Sequence, residues 1–220
     1  MTDSVLVDND IAVKTCAYRS AQALIDILDA LRTNASMLRV SKFAVSRRIQ
    51  RAKDVNHPDS LKQEWEKLNP RILEIEPTPQ EIDFAAKLEE MAIERSLDLD
   101  SGESQLLAIL HHRGASLMIT GDKRALRAIG ELNLALPPRS IACLEQVIYT
   151  ILSLVGLADL RQKVCQEPKI DKSIAMCFSC SSQNAPPLES VIQGLRSYTD
   201  AIRAWVSDIL CPEYEITVAL

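Results

Sequence analysis

The sequence predicts an α/β protein with a central parallel sheet, followed by a helical extension. Two short apolar strands, Ser4-Val-Leu-Val-Asp8 and Leu117-Met-Ile-Thr-Gly-Asp122, each run into an aspartate. Helical stretches of amphipathic period lie between them, the order expected of crossover connections in a parallel sheet. After about Arg139 the pattern turns apolar and helical, which sets the predicted boundary between an α/β domain at 1–140 and a helical extension at 141–220.

The chain has 220 residues, a formal net charge of −5 and a 47% hydrophobic fraction, enough for a real core. Only 4% is aromatic, so stacking platforms for unpaired bases are scarce, and the acidic balance disfavours bulk capture of nucleic acid. The N-terminal Met-Thr-Asp-Ser lacks a basic region followed by an apolar one, and the apolar run near Val147 to Ala158 is too short for a bilayer. These features read as a cytoplasmic protein with no membrane partner. The six cysteines are then expected as thiols. Cys177-Phe-Ser-Cys180 is the one close pair, and no second pair or histidine follows at zinc-ligand spacing.

In chain order, the first strand ends at Asp8, with Asn9 and Asp10 extending the polar cluster. Ile11 to Leu31 reads as helix. Met37 to Val40 reads as a short extended piece. Ser41 to Ala52 reads as a helix carrying Lys42, Arg47, Arg48 and Arg51, with Lys53 just beyond; this most basic stretch is either a solvated face or a phosphate-contacting one. Asn56-His-Pro-Asp59 is a turn, Leu61 to Leu68 a short helix, and Ile72 to Ile75 a strand. Thr78-Pro-Gln-Glu81 starts a helix with a cap, a proline and a capping box. A helix through Leu106, Leu107 and Leu110 follows Asp100-Ser-Gly-Glu103. Gly121 turns the chain after the later strand, and Asp122 opens a helix through Ala125, Leu126 and Ile129. Ile141 to Val164 reads as helix, Ser181 to Pro187 as a linker, and Leu188 to Leu210 as a last helix with Trp205 on its apolar side.

Three carboxylates thus share one kind of placement. Asp8 and Asp122 follow strands, at the edge where open α/β sheets bind ligands, and Glu103 begins a helix. Each also has a purely structural reading: a strand-end turn for Asp8, a capping box for Asp100-x-x-Glu103, an N-cap for Asp122.

On these residues the chain resembles the PIN-domain family of metal-dependent nucleases, which includes many bacterial toxins. Val5-Leu-Val-Asp8-Asn-Asp10-Ile looks like the family's opening strand, with Asp10 where an Asn is usual. Leu99-Asp100-Ser-Gly-Glu103-Ser-Gln-Leu-Leu-Ala108 looks like its third-helix motif. Ile119-Thr-Gly-Asp122-Lys-Arg-Ala125 is similar to the segment carrying its last acidic position. The resemblance runs from residue 5 to about 130 and implies a PIN-like three-layer fold. One departure stands: members carry a further acidic residue near the start of the second or third helix, and Phe43-Ala-Val-Ser46-Arg47-Arg48-Ile49 offers arginines instead, leaving Asp10 or Asp100 as substitutes.

Clustered carboxylates need a cation to stay ionised together, and an oxygen-only set suits Mg²⁺ or Mn²⁺. The resemblance implies RNA cleavage with Asp8, Glu103 and Asp122 as catalytic residues and metal ligands, and Asp100 and Asp10 as further ligands. Lys42, Arg47, Arg48, Arg51, Lys123 and Arg124 are the candidate phosphate contacts. For toxin members it also implies an antitoxin protein partner. The apolar face of 141–164 must be covered in cis, by a second copy in a homodimer, or by a partner. Two other readings compete. One is a catalytically silent PIN-like binding module. The other is a haloacid-dehalogenase-type phosphatase built on Asp8-Asn-Asp10 and Gly121-Asp122, which would want an acid where Leu126 stands.

Overall fold

A computed structural model describes residues 4–51 and 55–216. Five parallel strands form one sheet in the order β3-β2-β1-β4-β5. They are β1 (Ser4–Val7), β2 (Asn34–Leu38), β3 (Leu73–Ile75), β4 (Leu117–Thr120) and β5 (Ile141–Cys143). Successive side chains leave a strand on opposite faces. Val5 and Val7, Leu117 and Ile119, and Ala142 enter one core, while Leu6, Met118, Ile141 and Cys143 enter the other. Because both faces of β1 and β4 are covered, Val5-Leu-Val7 and Leu117-Met-Ile119 read in sequence as unbroken apolar runs.

The first core is roofed by α1 (Asn9–Ala17), α2 (Ala21–Ala30), α3 (Arg39–Arg51), α4 (Pro58–Leu68), α8 (Leu144–Val155), α9 (Leu157–Gln166) and α10 (Lys172–Cys177). The second is roofed by α5 (Pro79–Glu94), α6 (Ser101–Arg113), α7 (Lys123–Leu132) and the far end of α11 (Leu188–Val206). The architecture is a three-layer α/β fold. Chain order runs outward from β1 through β2 to β3, then returns to β4 and β5 on β1's other side. The sheet therefore reverses direction between β1 and β4, the place where such folds open a crevice.

Several expectations are corrected. The helix expected over Ile11 to Leu31 is two helices: Arg19 takes a left-handed backbone (φ 48°) between them, with no glycine or proline to announce it. Ile141–Cys143 is not helical but the fifth strand, paired with β4 from Met118↔Ile141 to Thr120↔Cys143, so the boundary expected at residue 141 cuts through the sheet. Apolar runs of this length do not distinguish strand from helix by period. Gly156 (φ 82°) then divides the remaining apolar stretch into α8 and α9. Its apolar face is covered in cis: Val147, Ile148 and Ile151 are fully buried in the first core. Trp205 is 42% exposed rather than on the apolar side of α11, which is Val191, Leu195, Ile202 and Val206. The α11 backbone at Trp205 approaches α7 where only Gly130 leaves room. The expectation of six thiols fails too: Cys165 and Cys180 form a disulfide across 15 residues, because the α9–α10 turn returns the chain on itself, and Cys177 stays a buried thiol. Ala52 and Lys53, expected at the end of the basic helix, lie outside the described residues. Among the described residues no helix is long and apolar enough to cross a membrane.

Candidate active site

The carboxyl edge of the sheet collects the starts of several helices, four of which bear on the candidate residues. Asp8 ends β1 and is the N-cap of α1, its Oδ1 accepting the Asn9 amide at 2.6 Å. Asp122 follows β4 and Gly121 and caps α7, accepting the Arg124 amide at 2.8 Å. Asp100 caps α6, accepting the amides of Gly102 (2.8 Å) and Glu103 (2.9 Å), while Glu103 Oε2 accepts the Asp100 amide at 3.0 Å. The fourth helix, α3, leaves β2 directly; its Ser41 hydroxyl lies 3.9 Å from where a Cβ on Gly102 would sit. Amides at helix starts are unsatisfied donors with a partial positive charge, so acids collect there.

Asp8 and Asp122 are linked across the β1/β4 reversal. The Asp8 amide continues the ladder to Ile119 O at 3.0 Å. Thr120 donates its hydroxyl to Asp8 Oδ2 at 2.9 Å and accepts the Asp122 amide at 3.2 Å. Asp98, Asp100, Glu103, Asp122 and Arg124 line a cleft of about 240 Å³ together with Leu97 and Leu99. Asp8 is not among its lining residues; it is buried beside Thr120, 7% exposed.

Burial drives the electrostatics. Desolvation pushes the Asp8 carboxyl up to about 6, helped by the charges of Asp10 and Asp100 and opposed by the Thr120 and Asn9 hydrogen bonds. Glu103, 5% exposed, is pushed up to about 8 by burial and then by Asp100, Asp122 and Asp8, against the Asp100 amide bond. Burial also opposes ionisation of Asp122, but the Arg124 guanidinium at 2.9 Å outweighs it and holds that carboxyl below the usual range. Elsewhere buried acids meet cations: Glu64 meets Lys67, Glu81 meets Arg113 and Glu145 meets Lys123, each at 2.6 Å. Among the described residues, Asp8 and Glu103 have no such partner.

The candidate set of the sequence divides in two. Asp8, Glu103, Asp122 and Asp100 come to one edge. Asp10 comes there too, its Oδ2 only 2.6 Å from where a Gly121 Cβ would be, which is why that position needs a glycine. Asp10 is already held by Lys14 at 2.5 Å, and Lys14 also reaches Asp171 at the start of α10 at 2.7 Å. Sequence reasoning missed Lys14, although Asp10 and Lys14 stand at the i,i+4 spacing of a helix ion pair. Lys123 is corrected as a phosphate contact: it binds Glu145 at 2.6 Å and Ser173 Oγ at 2.7 Å, beneath the Tyr198 ring. The Lys42 ammonium donates to the Ile72 carbonyl at 2.7 Å. Arg47, Arg48 and Arg51 are exposed on α3, which begins at the carboxylate edge and carries them along its axis. Arg124 is exposed at the cleft between Asp122 and Asp98.

The donor chemistry fits a hard divalent cation: oxygen ligands only, two of them buried, mutually repelled and, among the described residues, unpaired with a cation, beside an Asn9 Oδ1 that is buried and without a hydrogen-bond partner among those residues. Among the described residues no three His, Cys, Asp or Glu side chains are already drawn together as a metal-holding group. No family model, curated protein or solved structure matches the chain.

Proposed function

We propose that this chain is a metal-dependent endoribonuclease in which Asp8, Glu103 and Asp122, with Asp100 beside them, hold Mg²⁺ or Mn²⁺, as its resemblance to PIN-domain nucleases implies. The observation that supports this reading most is the pair of buried carboxylates, Asp8 and Glu103, that face other acids at the sheet's reversal point and have no cation partner among the described residues. A bound divalent ion would supply neutralisation of a phosphodiester and polarisation of an attacking water. The protein's own part is positional. Thr120 fixes Asp8 relative to Asp122, and the capping box fixes Glu103 on the first turn of α6. Arg124, exposed at the cleft, would exchange Asp122 for a substrate phosphate, contributing charge-assisted hydrogen bonds. RNA as substrate, an antitoxin-type partner and a cytoplasmic setting belong to the same reading.

One observation favours the alternative of a silent binding module: Arg124 already neutralises Asp122, and no ligand set is preassembled among the described residues. Calorimetric titration of the full chain with Mn²⁺, beside cleavage of a single-stranded RNA, separates the two. The nuclease reading expects saturable binding that Asp8→Asn abolishes and cleavage that EDTA stops. Wild-type protein that neither binds Mn²⁺ nor cleaves RNA would overturn it.

A further inference from the structure

We infer that the outward stripe of α3, formed by Val40, Phe43, Arg47 and Arg51, is a binding site for an unpaired nucleobase and its flanking phosphates, with Phe43 as the stacking face. The inference rests on the reading of RNA as ligand but uses residues outside the carboxylate cluster. Ser41, Val45 and Ile49 are the buried stripe of this helix, so Phe43 and Arg47 fall on the opposite side. Val40 is 77% exposed and Phe43 64% exposed, in a chain with only three phenylalanines. Among the described residues nothing covers either side chain. The Arg47 guanidinium lies over the Phe43 ring, 5.7 Å from its centroid. An exposed ring with a guanidinium over it offers a flat base both a stacking partner and a cation–π neighbour.

Charge selects the occupant. From Arg39 to Arg51 the helix carries Arg39, Lys42, Arg47, Arg48 and Arg51 and no acid, within a chain of net charge −5. Arg39 and Lys42 are committed to Glu76 and the Ile72 carbonyl. Among the described residues, no carboxylate pairs with Arg47, Arg48 or Arg51. An apolar and aromatic patch backed by unpaired arginines matches a polyanion with flat apolar bases better than it matches a second copy of an acidic chain. Helix α3 starts at the end of β2, the strand beside β1, and Phe43 lies four residues on, about 6 Å along the axis.

The test uses the full chain in EDTA, where binding is read without cleavage. Anisotropy of a fluorescein-labelled oligouridylate would be followed for the wild type, Phe43→Ala, Phe43→Trp and Arg47→Ala, with inorganic polyphosphate as competitor. Loss of one stacked base should weaken RNA binding by Phe43→Ala about tenfold. Polyphosphate competition should stay unchanged, and Phe43→Trp should bind like the wild type. Arg47→Ala should lower the slope of log affinity against log salt by about 0.7. Equal affinity of Phe43→Ala and wild type would overturn the inference. So would a parallel loss of polyphosphate binding, a wild type that binds no oligonucleotide, or a dimer that Phe43→Ala turns into a monomer. A protein that stacks RNA in EDTA but never cleaves it with Mn²⁺ would sink the nuclease reading and leave this site standing.

Discussion

Replacing Glu103 by Gln should stabilise the metal-free protein, and more so as pH rises. Glutamine serves at the third position of a capping box as glutamate does, so the bond to the Asp100 amide survives. What disappears is a charge that burial and three neighbouring acids oppose. The folded carboxyl is pushed up from an ordinary 4.5 to about 8, so the folded state binds that proton more tightly than the unfolded chain does. Between those two values unfolding releases a proton, and stability falls as pH rises. At about 1.4 kcal/mol per pH unit the full window sets a ceiling near 5 kcal/mol. The repulsion is shared with Asp8, Asp100 and Asp122, so about 2 kcal/mol is the expected gain of the variant at pH 8. For a chain of this size that is a rise of about 4–8 °C in Tm. Near pH 5 the two proteins should melt together. The assay is thermal unfolding in EDTA at several pH values, repeated with Mn²⁺, which should stabilise the wild type and not the variant by the linkage of binding to folding. A variant that is less stable at pH 8, or a difference that does not change with pH, would show that Glu103 is not held among opposing charges.

Other perturbations test separate links. Asp122→Asn should abolish divalent-dependent RNA cleavage while shifting Tm little, because Asn caps a helix as well as Asp; unchanged cleavage would place the activity elsewhere. A chain ending at Pro138 should fail to fold, as it loses β5 and the covering of the first core by α8; a cooperative melt with native circular dichroism would refute this. Lys14→Met leaves Asp10 and Asp171 without their shared cation and should cost about 2–4 kcal/mol in urea unfolding. A change below about 0.5 kcal/mol would mean the pair behaves like an exposed one.

The parts of the fold visible in the sequence were those with local causes. The box at Thr78 and Glu81 forms as its residues dictate, and so do the caps at Asp100 and Asp122. The β1 and β4 strands were legible because a doubly covered parallel strand is a nearly continuous apolar run. For the same reason β5 was not: three residues, Ile141–Cys143, run straight into an apolar helix, and nothing between them changes character. The break at Arg19 and the Cys165–Cys180 bridge depend on where distant segments pack, which no local pattern carries. In the site, the acids were legible by type and placement. Their neutralisers were only partly so, since Lys14 is local to Asp10 while Lys123 is drawn off by Glu145 and Ser173 on later elements.

The structural and functional readings of these acids are not exclusive, and the molecule contains its own control. Glu81 and Glu103 occupy the same position of the same motif, third in a capping box, each accepting the amide of its N-cap residue. Both are nearly buried, at 2% and 5% exposed. If capping were all that such a glutamate did, the two should be equipped alike. Glu81 has Arg113 at 2.6 Å, and although burial opposes its ionisation the guanidinium holds its carboxyl below the usual range. Glu103 has Asp100, Asp122 and Asp8 in place of an arginine, and its carboxyl moves the other way. The fold thus supplies a cation to one buried glutamate and assembles acids around the other. An arrangement that costs stability in the free protein is what a site for the proposed divalent ion would require, since the bound ion would supply the positive charge that Arg113 supplies to Glu81. Capping explains why the glutamate stands at the head of α6; it does not explain the company it keeps.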